Sequence, residues 1–231
     1  KPEEKIKDSI SIEFYNHVDE SPLIFDSSGY SQWFSTLSNQ NFNIYNLYYL
    51  VTDIKLTDNN GNTLKNLSDI HFVSSDNLNS NYIYLPEILR SGEYSNIEFV
   101  FGLNTDKNIN NEYINEDFHS QMFWPEFMGG GYHYMKLEGK YIDLDGNQKF
   151  YNNHTGPTNG SNFSFYQFIF DFPGEGFMGT ANSIFINMDI NNWYNDPIYD
   201  FNIFGSGIMD NMEAQWNLYQ NAGDIFSVQI N

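Results

Sequence analysis

Cysteine is absent from the 231-residue chain. Disulfides, thiolate zinc sites and thiol nucleophiles are excluded with it. Basic residues are scarce: 10 Lys and Arg stand against 30 Asp and Glu, a formal charge of −20. Such a surface repels polyphosphate, which argues against nucleic acid as a partner. It favours solubility and draws cations loosely. No apolar run approaches the length needed to span a bilayer. The chain has neither a G-x-S-x-G elbow nor an H-E-x-x-H pair. No two of its many carboxylates are marked out as a glycosidase couple. The expectation is a binding protein, not an enzyme.

Aromatic side chains, by contrast, are abundant, at 18% of residues. They recur in short runs separated by Gly, Asn and Asp. "ISIEFYNHV" (Ile10–Val18) alternates, with Ile10, Ile12, Phe14 and Val18 on one face and Glu13, Tyr15 and His17 on the other. "FNIYNLYYLVTDIKL" (Phe42–Leu56) is a longer strand, closed by Asn60-Gly61, a strong hairpin signal. Tyr94–Leu103, Gly131–Leu144, Gln148–His154, Asn162–Phe172 and Ser183–Trp193 read the same way. One helix is expected near the end, capped by Asp210 or Asn211 and stopped by Gly223. The final "DIFSVQI" returns as a strand. The fold class is therefore all-β: a single-domain antiparallel β-sandwich over residues 9–231 with one short C-terminal helix. Residues 1–8, "KPEEKIKD", read as a polar leader left after removal of a signal or lipid-anchor segment, which implies export.

In a chain without thiols, imidazole is the strongest ligand left for a transition metal. His17 lies on the polar face of the first strand. His133 follows three glycines and alternates with Met135 and Leu137. His154 ends a strand in "NNHTGP", and His119 lies in "DFHSQM". His71, in "DIHFV", reads as an ordinary strand residue. Met122, Met128 and Met135 surround the same glycines, and thioether with imidazole would favour Cu(I) over zinc or magnesium. Each methionine taken singly is better explained as a filler of core gaps. Asp143, Asp145 and Asn147 in "DLDGNQ" are spaced like calcium ligands but lack the distal Glu. Asp145-Gly146 makes that segment a hairpin turn.

Five motifs in order resemble one family: "ISIEFYNHVDESPLIF", "FNIYNLYYLVTDIKL", "LRSGEYSNIEFVFGLN", "MFWPEFMGGGYHYMKLEG" and "HTG". The closing "NAGDIFSV" extends the likeness, which is to the MbnP-like domain. The resemblance implies a secreted or lipid-anchored periplasmic or cell-surface β-sandwich that binds copper, as Cu(I) or Cu(II), for uptake, storage or delivery. It implies a dihaem partner of the MauG type that oxidises a tryptophan beside the metal to kynurenine. Trp124 matches that tryptophan. His17 matches the histidine of the first strand and His154 that of the "HLG"-like turn, here "HTG". The resemblance and the histidine pattern make His17 and His154 the first candidate ligands, followed by His133 and His119. The alternative is a carbohydrate- or protein-binding module whose histidines are structural.

Overall fold

The computed structural model describes residues 10–85, 94–160, 162–172 and 183–230. The polar leader expected over residues 1–8 lies outside them. The strands are β1 (Ile10–Val18), β2 (Ser21–Pro22), β3 (Phe34–Ser35), β4 (Asn41–Thr57), β5 (Thr63–Ser74), β6 (Tyr82–Leu85) and β7 (Asn96–Phe101). After the short helix α1 (His119–Met122) come β8 (Met135–Ile142), β9 (Gln148–Thr155), β10 (Pro157–Thr158), β11 (Asn162–Phe163), β12 (Tyr166–Asp171) and β13 (Ser183–Asp189). Two helices, α2 (Phe201–Phe204) and α3 (Met212–Asn221), precede β14 (Phe226–Ile230).

Two sheets form a sandwich. The smaller runs β14-β13-β1-β2, with β6 also on β1; the larger runs β12-β7-β4-β8-β9, with β3 and β5 also on β4. Their inner faces meet through aromatic rings. Phe14 of β1 stands 6.3 Å from Tyr49 of β4, and Phe226 of β14 stands 5.3 Å from Phe99 of β7. Edge-to-face contacts of this kind add to the burial of large apolar surfaces. Among the described strands the pairing is antiparallel with one exception: β1 and β13 run parallel, Ser11 against Ser183 through His17 against Asp189.

The long β4 organises the larger sheet. Along one edge it pairs with β8 over Phe42–Tyr49 and with β7 over Val51–Thr57. Its other edge holds β3 and β5. Leu50 lies at the junction, where its N–H donates to Tyr134 O and its carbonyl accepts from Gly102 N. The chain between Gly102 and Tyr134 therefore leaves and re-enters at one point of the sheet. It folds over the outer face, with the buried Phe118 ring 5.8 Å from Phe72 of β5. The Asn60-Gly61 hairpin joins β4 to β5 as expected, with Gly61 at φ 78°.

Several boundaries differ from the sequence reading. The run 162–172 is broken at Ser164 and Phe165, and the run from Ser183 ends at Asp189. There the Asp189 carboxylate accepts from Asn191 N and caps a 3-10 turn over Ile190–Tyr194, a competing local bond typical of Asp. At the C-terminal helix the cap is Asn211, whose side chain accepts from Glu213 N and Ala214 N. Gly223 lies beyond that helix, in a 3-10 turn.

Candidate metal centre

The segment Met122–Tyr134 is a tight hairpin laid over the end of the larger sheet. Trp124 N–H donates to Gly131 O at 2.8 Å and His133 N–H to Met122 O at 2.7 Å. Between the arms, Pro125 leads into a 3-10 turn over Glu126–Met128, and Gly129, Gly130 and Gly131 all have positive φ. Gly129, at φ 118°, shows why a side chain is refused: a Cβ there would lie 2.3 Å from Gly160 N. The loop thus packs backbone to backbone on the turn that follows β10. The Trp124 indole is fully buried, and its Nε1–H donates to Met128 O at 3.0 Å.

Under that indole lies Gly156, the last residue of "HTG". A Cβ on Gly156 would fall 2.5 Å from Trp124 Cε3, so the glycine admits the ring. His154, two residues earlier on β9, pairs across the sheet with Lys136 of β8. The His133 ring stands 4.8 Å from the Trp124 ring and 5.0 Å from the His154 ring, at 64° and 81° to them. Trp124, His133 and His154 are thus one cluster, built from a hairpin, a strand end and a glycine.

The hydrogen bonds define the tautomers. A carbonyl oxygen only accepts, so His133 Nδ1, 3.1 Å from Met122 O, carries the proton. His133 Nε2 then holds a lone pair, is buried, and has no hydrogen-bond partner among the described residues. His154 Nε2 lies 2.7 Å from Glu138 Oε1. An ionised carboxylate only accepts, so His154 carries a proton on Nε2, and in the neutral ring the lone pair is on Nδ1. Burial, reinforced by the neighbouring His154, pushes the His133 imidazole down to about 3, so it stays neutral. Burial would raise the Glu138 carboxyl, but hydrogen bonds from His154 and Asn46 outweigh it and bring it to about 2.

The other expected site residues stand elsewhere. His17 is on the smaller sheet, its Nδ1 2.5 Å from Asp19 O and 4.0 Å from an Asp189 carboxylate oxygen, and its ring is stacked 5.7 Å from Tyr15. These partners are a different set from those of His154. His119 bonds to the Tyr132 hydroxyl at 3.0 Å. His71 is stacked on Phe14 at 5.1 Å and bonded to Ser80 O. Met122 and Met128 meet the cluster through main-chain carbonyls, while Met135 is a core residue. Asp143 accepts from Asp145 N and Asn147 N and closes the hairpin read from "DLDGNQ". Among the described residues no three His, Asp or Glu side chains gather as a metal cage.

Two things escaped the sequence reading. Extending the strand alternation upstream puts His133 on the face of Met135 and Leu137. The strand starts only at Met135, however, and His133 instead meets His154, on the opposite face. Glu138, the partner of His154, and Asn46, the partner of Glu138, are not among the residues the sequence reading picks out. The one available signal was that Glu138 alternates with Lys136 in "MKLEG".

The sequence model of the MbnP family matches residues 7–210. Among curated proteins none matches this chain. Among solved structures, MbnP from Methylosinus trichosporium superposes with a TM-score of 0.60 at 13% identity, over 96% of this chain and 98% of that one. At that identity the structural likeness speaks for the fold, and the family match rests on sequence. The chain belongs to the MbnP family.

Proposed function

We propose that this is an exported, non-enzymatic copper-binding protein serving copper uptake, storage or delivery. Its metal is held by His133 Nε2 and His154 Nδ1 beside Trp124. One observation carries the reading: two adjacent imidazoles each have one nitrogen tied to a backbone or carboxylate acceptor, which leaves the other as a lone pair. Ligating histidines are oriented in this way. The buried His133 Nε2, with no partner among the described residues, is the atom a metal would satisfy.

Donor number supports copper over zinc. Structural zinc takes four protein ligands and catalytic zinc three, whereas this cluster offers two imidazoles and an aromatic neighbour. Imidazole suits copper, and Cu(I) accepts low coordination numbers. Trp124, packed on Gly156 and matching the family tryptophan, is the residue we assign to oxidation to kynurenine by a MauG-type dihaem partner.

Titration of the apo-protein with Cu(I) against a competing chelator tests the site. One equivalent should bind, His133→Ala/His154→Ala should abolish it, and His17→Ala should leave it intact. Binding that survives the double substitution but fails in His17→Ala would move the site to the smaller sheet. Intact mass after co-expression with the partner should rise by only a few daltons if Trp124 becomes kynurenine. A hydroxyl or formyl product adds more.

A further inference from the structure

Glu138 stands diagonally across the β8–β9 pair from His154, since Lys136 is opposite His154 and Glu138 is opposite Asn152. Its two oxygens have separate tasks. Oε1 accepts from His154 Nε2 at 2.7 Å, and Oε2 accepts from Asn46 Nδ2, on the adjacent β4, at 2.7 Å. The Tyr48 hydroxyl lies 3.2 Å from Asn46 Oδ1, its one hydrogen shared between that oxygen and the Asp76 carboxylate. The Glu138 carboxylate is therefore held from a third strand. The main chain of His154 is pinned from the far side, where Gln215 Nε2 of α3 donates to His154 O at 2.5 Å. With its backbone fixed, the remaining freedom of His154 is ring rotation and choice of tautomer, and Glu138 is the group that restricts both. The pair is mostly shielded from solvent, with side-chain exposures of 12% for His154 and 14% for Glu138.

We propose that Glu138 is the positioning residue of the copper centre: it locks His154 as the Nε2–H tautomer in one ring orientation, so that Nδ1 is presented beside His133. This rests on the copper reading above, but part of it can be read without metal. Apo-protein labelled with 15N at histidine should show His154 with a protonated, slowly exchanging Nε2 in long-range 1H–15N spectra. Glu138→Leu should lose that protected proton and weaken Cu(I) by about 10–100-fold, with one-to-one stoichiometry retained. Glu138→Gln still offers an acceptor to Nε2, so it should keep the proton and most of the affinity. Asn46→Ala, which loosens the carboxylate without removing it, should fall between.

Unchanged circular dichroism and unfolding midpoint in Glu138→Gln and Asn46→Ala separate positioning from folding, should Glu138→Leu prove unstable. A Glu138→Leu protein that keeps both the Nε2 proton and the affinity overturns the proposal. So does wild-type apo-protein whose His154 carries its proton on Nδ1. Failure of wild type to bind Cu(I), with the Nε2 proton present and lost in Glu138→Leu, would instead sink the copper reading and leave the orienting role standing.

Discussion

At the scale of single residues, His133 contributes to acid sensitivity. Its folded-state value, about 3, lies below the ordinary 6.5. As pH falls through 6.5, the unfolded chain takes up a proton that the folded chain refuses, and folding loses free energy down to about pH 3. Glu138, at about 2 against an ordinary 4.5, adds a second loss that begins below 4.5. Denaturant melts of the apo-protein should show stability decreasing between pH 7 and 4. Replacing His133 with Leu should reduce the slope above pH 4.5 and leave the part due to His71, whose imidazole is also held below its ordinary value by burial. A second residue-scale expectation concerns Gly156, whose added Cβ would meet Trp124 at 2.5 Å. Gly156→Ala should destabilise by about 1–3 kcal/mol, the usual cost of overpacking, and should lower Cu(I) affinity as the indole shifts. Urea unfolding and chelator competition on the same samples check both.

At the scale of elements, strand identity was largely legible. Alternation in Ile10–Val18, the long run from Phe42 and the Asn-Gly hairpin signal all correspond to strands or turns. β5 (Thr63–Ser74) was legible only in part, through the hairpin signal before it and the strand reading of "DIHFV" around His71. Its residues are mostly half-buried or exposed, so the inside–outside contrast that marks a strand is faint. Boundaries shifted where a side chain offered the backbone a competing bond, as Asp189 does. The C-terminal helix depends on such a bond for its start. Asn211→Ala removes the acceptor of Glu213 N and Ala214 N and should cost about 1 kcal/mol, measured as a lower unfolding midpoint. Because Gln215 of that helix bonds His154 O, the same variant should also broaden the His154 resonances.

For the molecule as a whole, charge is the dominant global term. A formal charge of −20 on a chain of 231 residues opposes compaction through self-repulsion. Raising NaCl from about 10 to 200 mM shortens the screening length from roughly 30 to below 10 Å. The apo-protein melting temperature should rise over that range, and a flat or falling value in differential scanning calorimetry would argue against net repulsion.

The sequence by itself determined the all-β class, the aromatic core, the lack of thiol chemistry and the family. These follow from composition, local alternation and ordered motifs, which are properties of neighbours along the chain. It also singled out Trp124, His133 and His154 as candidates, together with His17 and His119. Only the tertiary structure decided that the first three meet, while His17 stands on the other sheet. The period-2 pattern records which face a residue takes but not which strand lies beside it. The parallel pairing of β1 with β13 and the return of the Gly102–Tyr134 excursion to Leu50 are long-range choices. They are decided by how two sheets bury their faces against each other.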